Sequence, residues 1–146
     1  MKIFRLTYRS TMNFGRIDSP LETLRSIVKT SAKRNAHHGL TGFLLFDGAT
    51  FVQALEGQQP NVEETYERIA RDPRHRDLTT LEALLTDARV FGSWFMGSHL
   101  RTREDKSVFE RLGLSDVPLA AMPYPKIARL LRELGDSDRR TPQANV

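Results

Sequence analysis

The chain contains no cysteine. This excludes disulfides, thiolate metal sites and cysteine nucleophiles. It also lacks any apolar run near the roughly 20 residues that cross a bilayer. The opening MKIFRLTYRS is too polar for a secretory leader. The expected compartment is therefore the cytoplasm, with no membrane contact. A glycine-rich phosphate loop is missing too, and GQQP at Gly57 reads as a turn. Histidine is scarce. His37 and His38 are adjacent, so on a helix they point about 100° apart and cannot both face one metal easily. They read as the cationic end of a helix. His75 taken alone reads as a surface loop residue. No spacing of Ser, His and Asp supports a triad, and no metal site is expected.

What remains is one domain's worth of chain, 146 residues with a net charge of +4. Basic residues are interleaved with acids, as in Arg101–Thr102–Arg103–Glu104–Asp105–Lys106. A nucleic-acid footprint would need them gathered on one face, so no direct nucleic-acid binding is expected.

The pattern predicts a first strand over Ile3–Tyr8 and turn residues from Thr11 to Ser19. Ser19–Pro20 opens a helix, with Leu21, Leu24, Ile27, Val28 and Ser31 at helical spacing. Lys33, Arg34, His37 and His38 sit at its negative end, before Gly39. Phe43–Phe46 and Thr50–Leu55 form a hairpin with Asp47–Gly48 at its turn. Pro60 begins a second helix striped by Val62, Thr65, Tyr66 and Ile69, and Asp72–Pro73 ends it. Leu78–Leu85 reads as a fourth strand. Phe91–Leu100 holds a fifth, with Trp94 and Met96 on one face. The order β-α-β-β-α-β-β is an α+β, ferredoxin-like arrangement with two helices on one sheet face. Past residue 101 the expected elements are a short helix at Ser107–Leu112, an irregular connector at Pro118–Pro125, and a helix at Lys126–Leu134. Ile127, Leu130, Leu131 and Leu134 would cap the sheet's open face or relay to a partner. Asp136–Val146 reads as disordered.

One position stands out. Gln53 lies in an apolar strand on the same face as Phe51 and Leu55. Either that face is buried and the amide needs partners, because an unpaired buried amide costs about 1–3 kcal/mol. Or Val52 and Ala54 are buried instead and Gln53 meets solvent. Taken alone, Trp94 and Met96 read as core. Motif logic by itself ends at a soluble α+β domain with no enzyme.

The first 100 residues nevertheless resemble the BLUF family of blue-light sensors that bind flavin. The resemblance rests on LTYRS at Leu6–Ser10 and SAKRNAHHGLTGFLLFDGATFVQALEG at Ser31–Gly57. YERIARDPRH at Tyr66–His75 and FGSWFMG at Phe91–Gly97 complete the series. It implies a division into a flavin-binding photosensor domain at 1–100 and a C-terminal helical extension at 101–146. It implies a flavin, FAD in most members, held between the two helices. The photoactive tyrosine falls on Tyr8 and the switching glutamine on Gln53, with Trp94 and Met96 as the pair that can exchange places beside it. The cofactor-binding positions fall on Ser31, Lys33, Arg34 and Asn35, and on Arg68, Ile69, Asp72, Arg74 and His75. Ala32 stands where many members carry arginine, and Arg34–Asn35 where many carry paired asparagines. Lys33 or Arg34 could supply the charge for the flavin tail, which leaves FAD against FMN open.

The resemblance also implies a short, stand-alone, non-enzymatic photoreceptor. It would signal to a downstream protein in trans, with its oligomeric state open. Two alternatives belong to other classes. A small acylphosphatase-like hydrolase on the same topology would use Arg34–Asn35 at an anion loop. An RNA-binding module would expose aromatics on its central strands, whereas Phe43, Phe46 and Phe51 read as core.

Overall fold

The computed structural model describes residues 2–13, 15, 19–102 and 107–138. The elements run β1 (Ile3–Met12), α1 (Pro20–His38), β2 (Thr41–Phe46), β3 (Thr50–Gly57), α2 (Gln59–Ala70), β4 (His75–Thr86), β5 (Gly97–Leu100), α3 (Ser107–Arg111) and α4 (Tyr124–Asp138). A 3-10 turn at Leu119–Ala121 interrupts the segment between α3 and α4. The sheet order is β4-β1-β3-β2-β5. Neighbours are antiparallel except β2 and β5, which are parallel. This is the expected ferredoxin-like α+β arrangement with β5 added beside β2.

Local chemistry explains the boundaries. The Ser19 hydroxyl accepts from the Glu22 N–H at 3.4 Å, and Pro20 opens α1. Gly39 ends α1 at φ 66°, a left-handed cap that favours glycine. The β2–β3 turn is held by Asp47, whose Oδ1 accepts from the Ala49 and Thr50 N–H groups at 2.9 and 2.7 Å. Gly42 permits close approach between those strands. An alanine Cβ there would lie 2.2 Å from the Ala54 carbonyl oxygen and 3.2 Å from the Met96 methyl.

The sheet is covered on both faces. On β1, Phe4, Leu6, Tyr8 and Met12 point to the α1–α2 side with Leu44, Phe46, Phe51 and Leu55. Phe43, Leu45, Val52 and Ala54 point the other way, where Ile127, Leu130, Leu131 and Leu134 of α4 cover them. The C-terminal helix therefore does cap the open face. Arg9 pins this second layer by donating to the Leu119 and Met122 carbonyls at 3.1 and 2.7 Å. Arg101 does the same for Val117, Leu114 and Ser115. Each arginine satisfies backbone acceptors that an irregular segment cannot pair internally.

Several boundaries differ from the sequence expectation. β1 continues through Thr11 and Met12, because their partners are Thr50 on β3 and Arg76 and His75 on β4. β4 begins at His75 rather than Leu78, and register shifts along this edge strand blur its alternation. The fifth strand is only Gly97–Leu100, so Phe91–Met96 is a loop. Trp94 and Met96 do not share a face. Trp94 packs with Phe91 and α4, and Met96 with the α1–α2 side. α4 starts at Tyr124 and runs to Asp138, so Asp136–Asp138 is helical; positions 139–146 lie outside the described residues.

Leu130 is fully buried between α4 and the sheet. Leu130→Ala should lower unfolding stability by about 2–5 kcal/mol, the usual cost of such a truncation, as read from urea titration. A loss well under 1 kcal/mol would mean that this layer is only loosely docked.

Candidate functional site

The sheet register places two polar side chains opposite each other in the middle of the molecule. Tyr8 on β1 pairs directly with Gln53 on β3. Both lie on the α1–α2 face, and both are almost wholly buried. The Tyr8 hydroxyl donates to Gln53 Oε1 at 2.5 Å. Gln53 Nε2 donates to Met96 Sδ at 3.5 Å. Of the two readings of Gln53, burial with partners is the one observed. Val52 and Ala54 are buried as well, because a second layer covers the other face.

A cleft opens above this pair between α1 and α2. It encloses about 730 Å³, its open mouth included. Ile27, Ile69, Leu44, Phe51 and Leu55 make its apolar walls, and Tyr8 and Gln53 its polar floor. Ser31, Arg34 and Asn35 line it from α1; Arg68, Asp72, Arg74 and His75 line it from α2 and the turn beyond. Each helix presents one stripe. Ile27, Thr30, Ser31 and Arg34 follow the i, i+3, i+4, i+7 spacing, and so do Thr65, Arg68, Ile69 and Asp72.

Several of these groups are held in place. Asn35 Nδ2 donates to the Phe95 carbonyl at 2.6 Å. His75 Nε2 donates to the Ile69 carbonyl at 2.7 Å, and Nδ1 shares a 2.8 Å hydrogen bond with the Ser10 hydroxyl. The imidazole thereby ties the end of α2 to β1. It is a half-buried positioned group rather than the loose surface histidine that the residue alone suggests. Arg74 grips Asp72 through Nε and Nη2, at 3.0 and 2.6 Å for the shortest contacts. Burial alone would raise the Asp72 pKa, but the hydrogen bonds and charge of Arg74 outweigh it and hold the carboxyl below its ordinary range. Burial pushes the Tyr8 phenol far up, and Tyr66 and Asp72 add to this. Tyr8 is therefore neutral throughout the physiological range.

Ten of the thirteen sequence-selected positions line the cleft. Lys33 does not. It lines a separate surface groove on α1 with Lys29, His37 and His38. Met96 lies behind Gln53, and Trp94 is on the far side of the sheet. Ile27, Thr30, Leu44, Phe51, Leu55 and Thr65 were not selected, although the two helical stripes contain three of them. Tyr66, whose ring centroid is 5.4 Å from that of Tyr8, was seen only as a packing residue. Among the described residues no cluster of acidic or imidazole groups could hold a metal, and no helix is long and apolar enough to cross a membrane.

The residues fit a flavin: apolar walls for a ring system, amide and phenol groups at the floor, and the cations Arg34, Arg68 and Arg74 in the lining. They fit the anion loop of a hydrolase poorly, because the Asn35 amide is turned onto the Phe95 carbonyl. Phe43, Phe46 and Phe51 are buried, not displayed for nucleic-acid bases.

Comparison with known proteins agrees. The family described as "BLUF: Sensors of blue-light using FAD" matches residues 3–97, more than half of the chain. The Escherichia coli (strain K12) blue light- and temperature-regulated antirepressor BluF is 35% identical over 111 residues, which is 73% of this chain and 27% of that protein. The photoactivated adenylate cyclase subunit beta of Euglena gracilis is 40% identical over 96 residues, 64% of this chain and 11% of that one. The chain thus spans about a quarter or less of these two relatives. Among solved structures, the dark state of BlrB, a BLUF protein, superposes with a TM-score of 0.75 at 32% identity, covering 93% of this chain and 97% of that one. The photo-activated state of BlsA superposes at 0.78 and 28% identity, covering 91% and 94%. By family match, relatives and fold together, this chain belongs to the BLUF family of blue-light sensors.

Proposed function

We propose that this chain is a blue-light photoreceptor in which Tyr8 and Gln53 form the switch and FAD is the bound flavin. The BLUF unit, read as residues 1–100, senses light rather than turning over a substrate. The segment from 101 onward is read as its extension, and the signal passes to a protein partner supplied in trans in the cytoplasm. The observation that carries the reading is the 2.5 Å bond from Tyr8 to Gln53 at the floor of the cleft.

When bound, a flavin would supply a blue-absorbing, electron-accepting ring. Ile27, Ile69 and Phe51 would hold that ring, Asn35 would meet its polar edge, and Arg34, Arg68 and Arg74 would serve the phosphates. Tyr8 would be the electron donor. A neutral buried phenol cannot keep its proton once oxidised, and Gln53 Oε1 stands ready to receive it. A carboxamide suits this position because its two ends are nearly isosteric but opposite in hydrogen-bond sense. Rotation or tautomerisation of Gln53 changes what it offers to the cleft and to Tyr8. Rotation, though not tautomerisation, also replaces the N–H at Met96 Sδ with an oxygen, turning an attraction into a repulsion. The Met96 loop therefore feels the state of the amide while the ring need not move.

Two experiments test this. Tyr8→Phe keeps the packing and Gln53→Leu keeps much of the volume, so both variants should fold and bind flavin. Both should lose the light-induced red shift in absorbance. A normal reversible shift in either one removes that residue from the switch.

Asn35→Ala should lower flavin occupancy and affinity. A lost hydrogen bond costs about 0.5–1.5 kcal/mol, or roughly a two- to tenfold weaker Kd. Fluorescence titration of flavin into the apo-protein reads this directly, and an unchanged Kd would assign the ring edge to another group.

A further inference from the structure

One buried ionisable group has no part in the chemistry above. Glu56 lies on β3 with its side chain wholly buried. It is on the face opposite Gln53, because alternate residues of a strand face opposite ways. Its carboxylate is fully engaged. Oε2 accepts from the Val90 N–H at 2.6 Å, and Oε1 accepts from the Phe91 N–H at 2.8 Å. The Thr41 hydroxyl donates to Oε1 at 3.2 Å, and Arg5 Nη1 lies 3.6 Å from Oε2. Arg89 closes the same corner by donating to the Thr41 hydroxyl and to the Glu56 and Gly39 carbonyls.

The segment gripped in this way leads directly to Met96. It begins at Val90–Phe91 on the α4 side and ends at Met96 on the cleft side. Along it, the Trp94 carbonyl accepts from the Gly42 N–H at 3.1 Å and the Phe95 carbonyl accepts from Asn35. Gln53 meets its far end at Met96 Sδ. One strand therefore holds both ends of the loop, Glu56 by the start and Gln53 by the finish.

We infer that Glu56 is a positioning residue for the photoswitch: it anchors Val90–Phe91 so that Met96 is presented to Gln53. A carboxylate is required, because two backbone N–H groups and a hydroxyl converge on its oxygens. A glutamine would turn its own NH₂ toward one of the two N–H donors. With the loop start fixed, a change at Gln53 is taken up between Trp94 and Met96 instead of being lost in slack.

The inference rests on the photoreceptor reading but is testable without it. Trp94 is the chain's only tryptophan, so fluorescence excited at the red edge, where the tyrosines do not absorb, reports this loop alone. In Glu56→Gln, and more mildly in Thr41→Val, acrylamide should quench Trp94 more strongly than in wild type. The 13C-methyl resonance of Met96 should also shift, in flavin-loaded protein kept dark. Thr41→Val preserves the strand and guards against a variant that simply fails to fold. Unchanged quenching and an unchanged methyl shift in folded variants would overturn the inference, whatever becomes of the photocycle. Dark recovery separates positioning from general destabilisation. Glu56→Gln should change the recovery rate about fivefold or more in the wild-type background but less than about twofold in Met96→Leu, as expected of residues that act through one another. An equal effect in both backgrounds would show that Glu56 acts on the fold as a whole. Absence of any light-induced shift in the wild type would instead count against the photoreceptor reading.

Discussion

A primary amide buried in the centre of a sheet is the constraint on which the site depends. Gln53 must find partners for an oxygen and for N–H groups away from bulk water. β1 supplies the phenol of Tyr8 by register, and the Met96 loop supplies a sulfur. The phenol bond is short, yet neither partner is a permanent match. A phenol can give or accept a hydrogen bond, and a thioether is a weak acceptor. The amide is thus satisfied without being locked, which suits the switching role proposed for it.

Burial on both sheet faces makes this possible. Without the C-terminal layer, Val52, Ala54 and Phe43 would be wet, and β3 would be a partly solvated strand. With it, β2 and β3 sit inside the protein, and the cleft is the route by which a ligand reaches them. Arg9 and Arg101, which hold the irregular part of that layer, do so through backbone carbonyls. Their role depends little on which side chains line the segment between α3 and α4.

The elements with a local cause were legible in the sequence. Ser19–Pro20, Gly39, Asp47–Gly48 and Pro60 mark real boundaries because caps and turns are decided within a few residues. The stripe Ile127, Leu130, Leu131 and Leu134 was readable for the same reason. Elements decided by distant pairing were not. Thr11 and Met12 look like turn residues until Arg76 and His75 of β4 pair with them. The Phe91–Met96 stretch looks like a strand because it is rich in large apolar residues, yet the loop is shaped by Glu56, Gly42 and Asn35 from other elements. The side of the sheet taken by Trp94 and by Met96 could not be read from a pattern of alternation that the loop does not have. In the cleft, motif resemblance located Tyr8, Gln53, Asn35 and the Arg68–His75 group. Apart from Ile69, the apolar walls carry no chemical signature and were not singled out as site residues. Glu56 escaped notice because a single acid before a glycine at a strand end looks like ordinary surface.

Gly42 carries a consequence for anyone altering the photocycle by mutagenesis. Its missing side chain is the space in which the Ala54 carbonyl and the Met96 methyl both sit. Any larger residue would disturb strand pairing and sulfur placement together, so its phenotype would confound misfolding with mistuning. A saturation library around Tyr8 and Gln53 should leave position 42 untouched and vary Met96 itself, whose side chain rather than backbone meets Gln53.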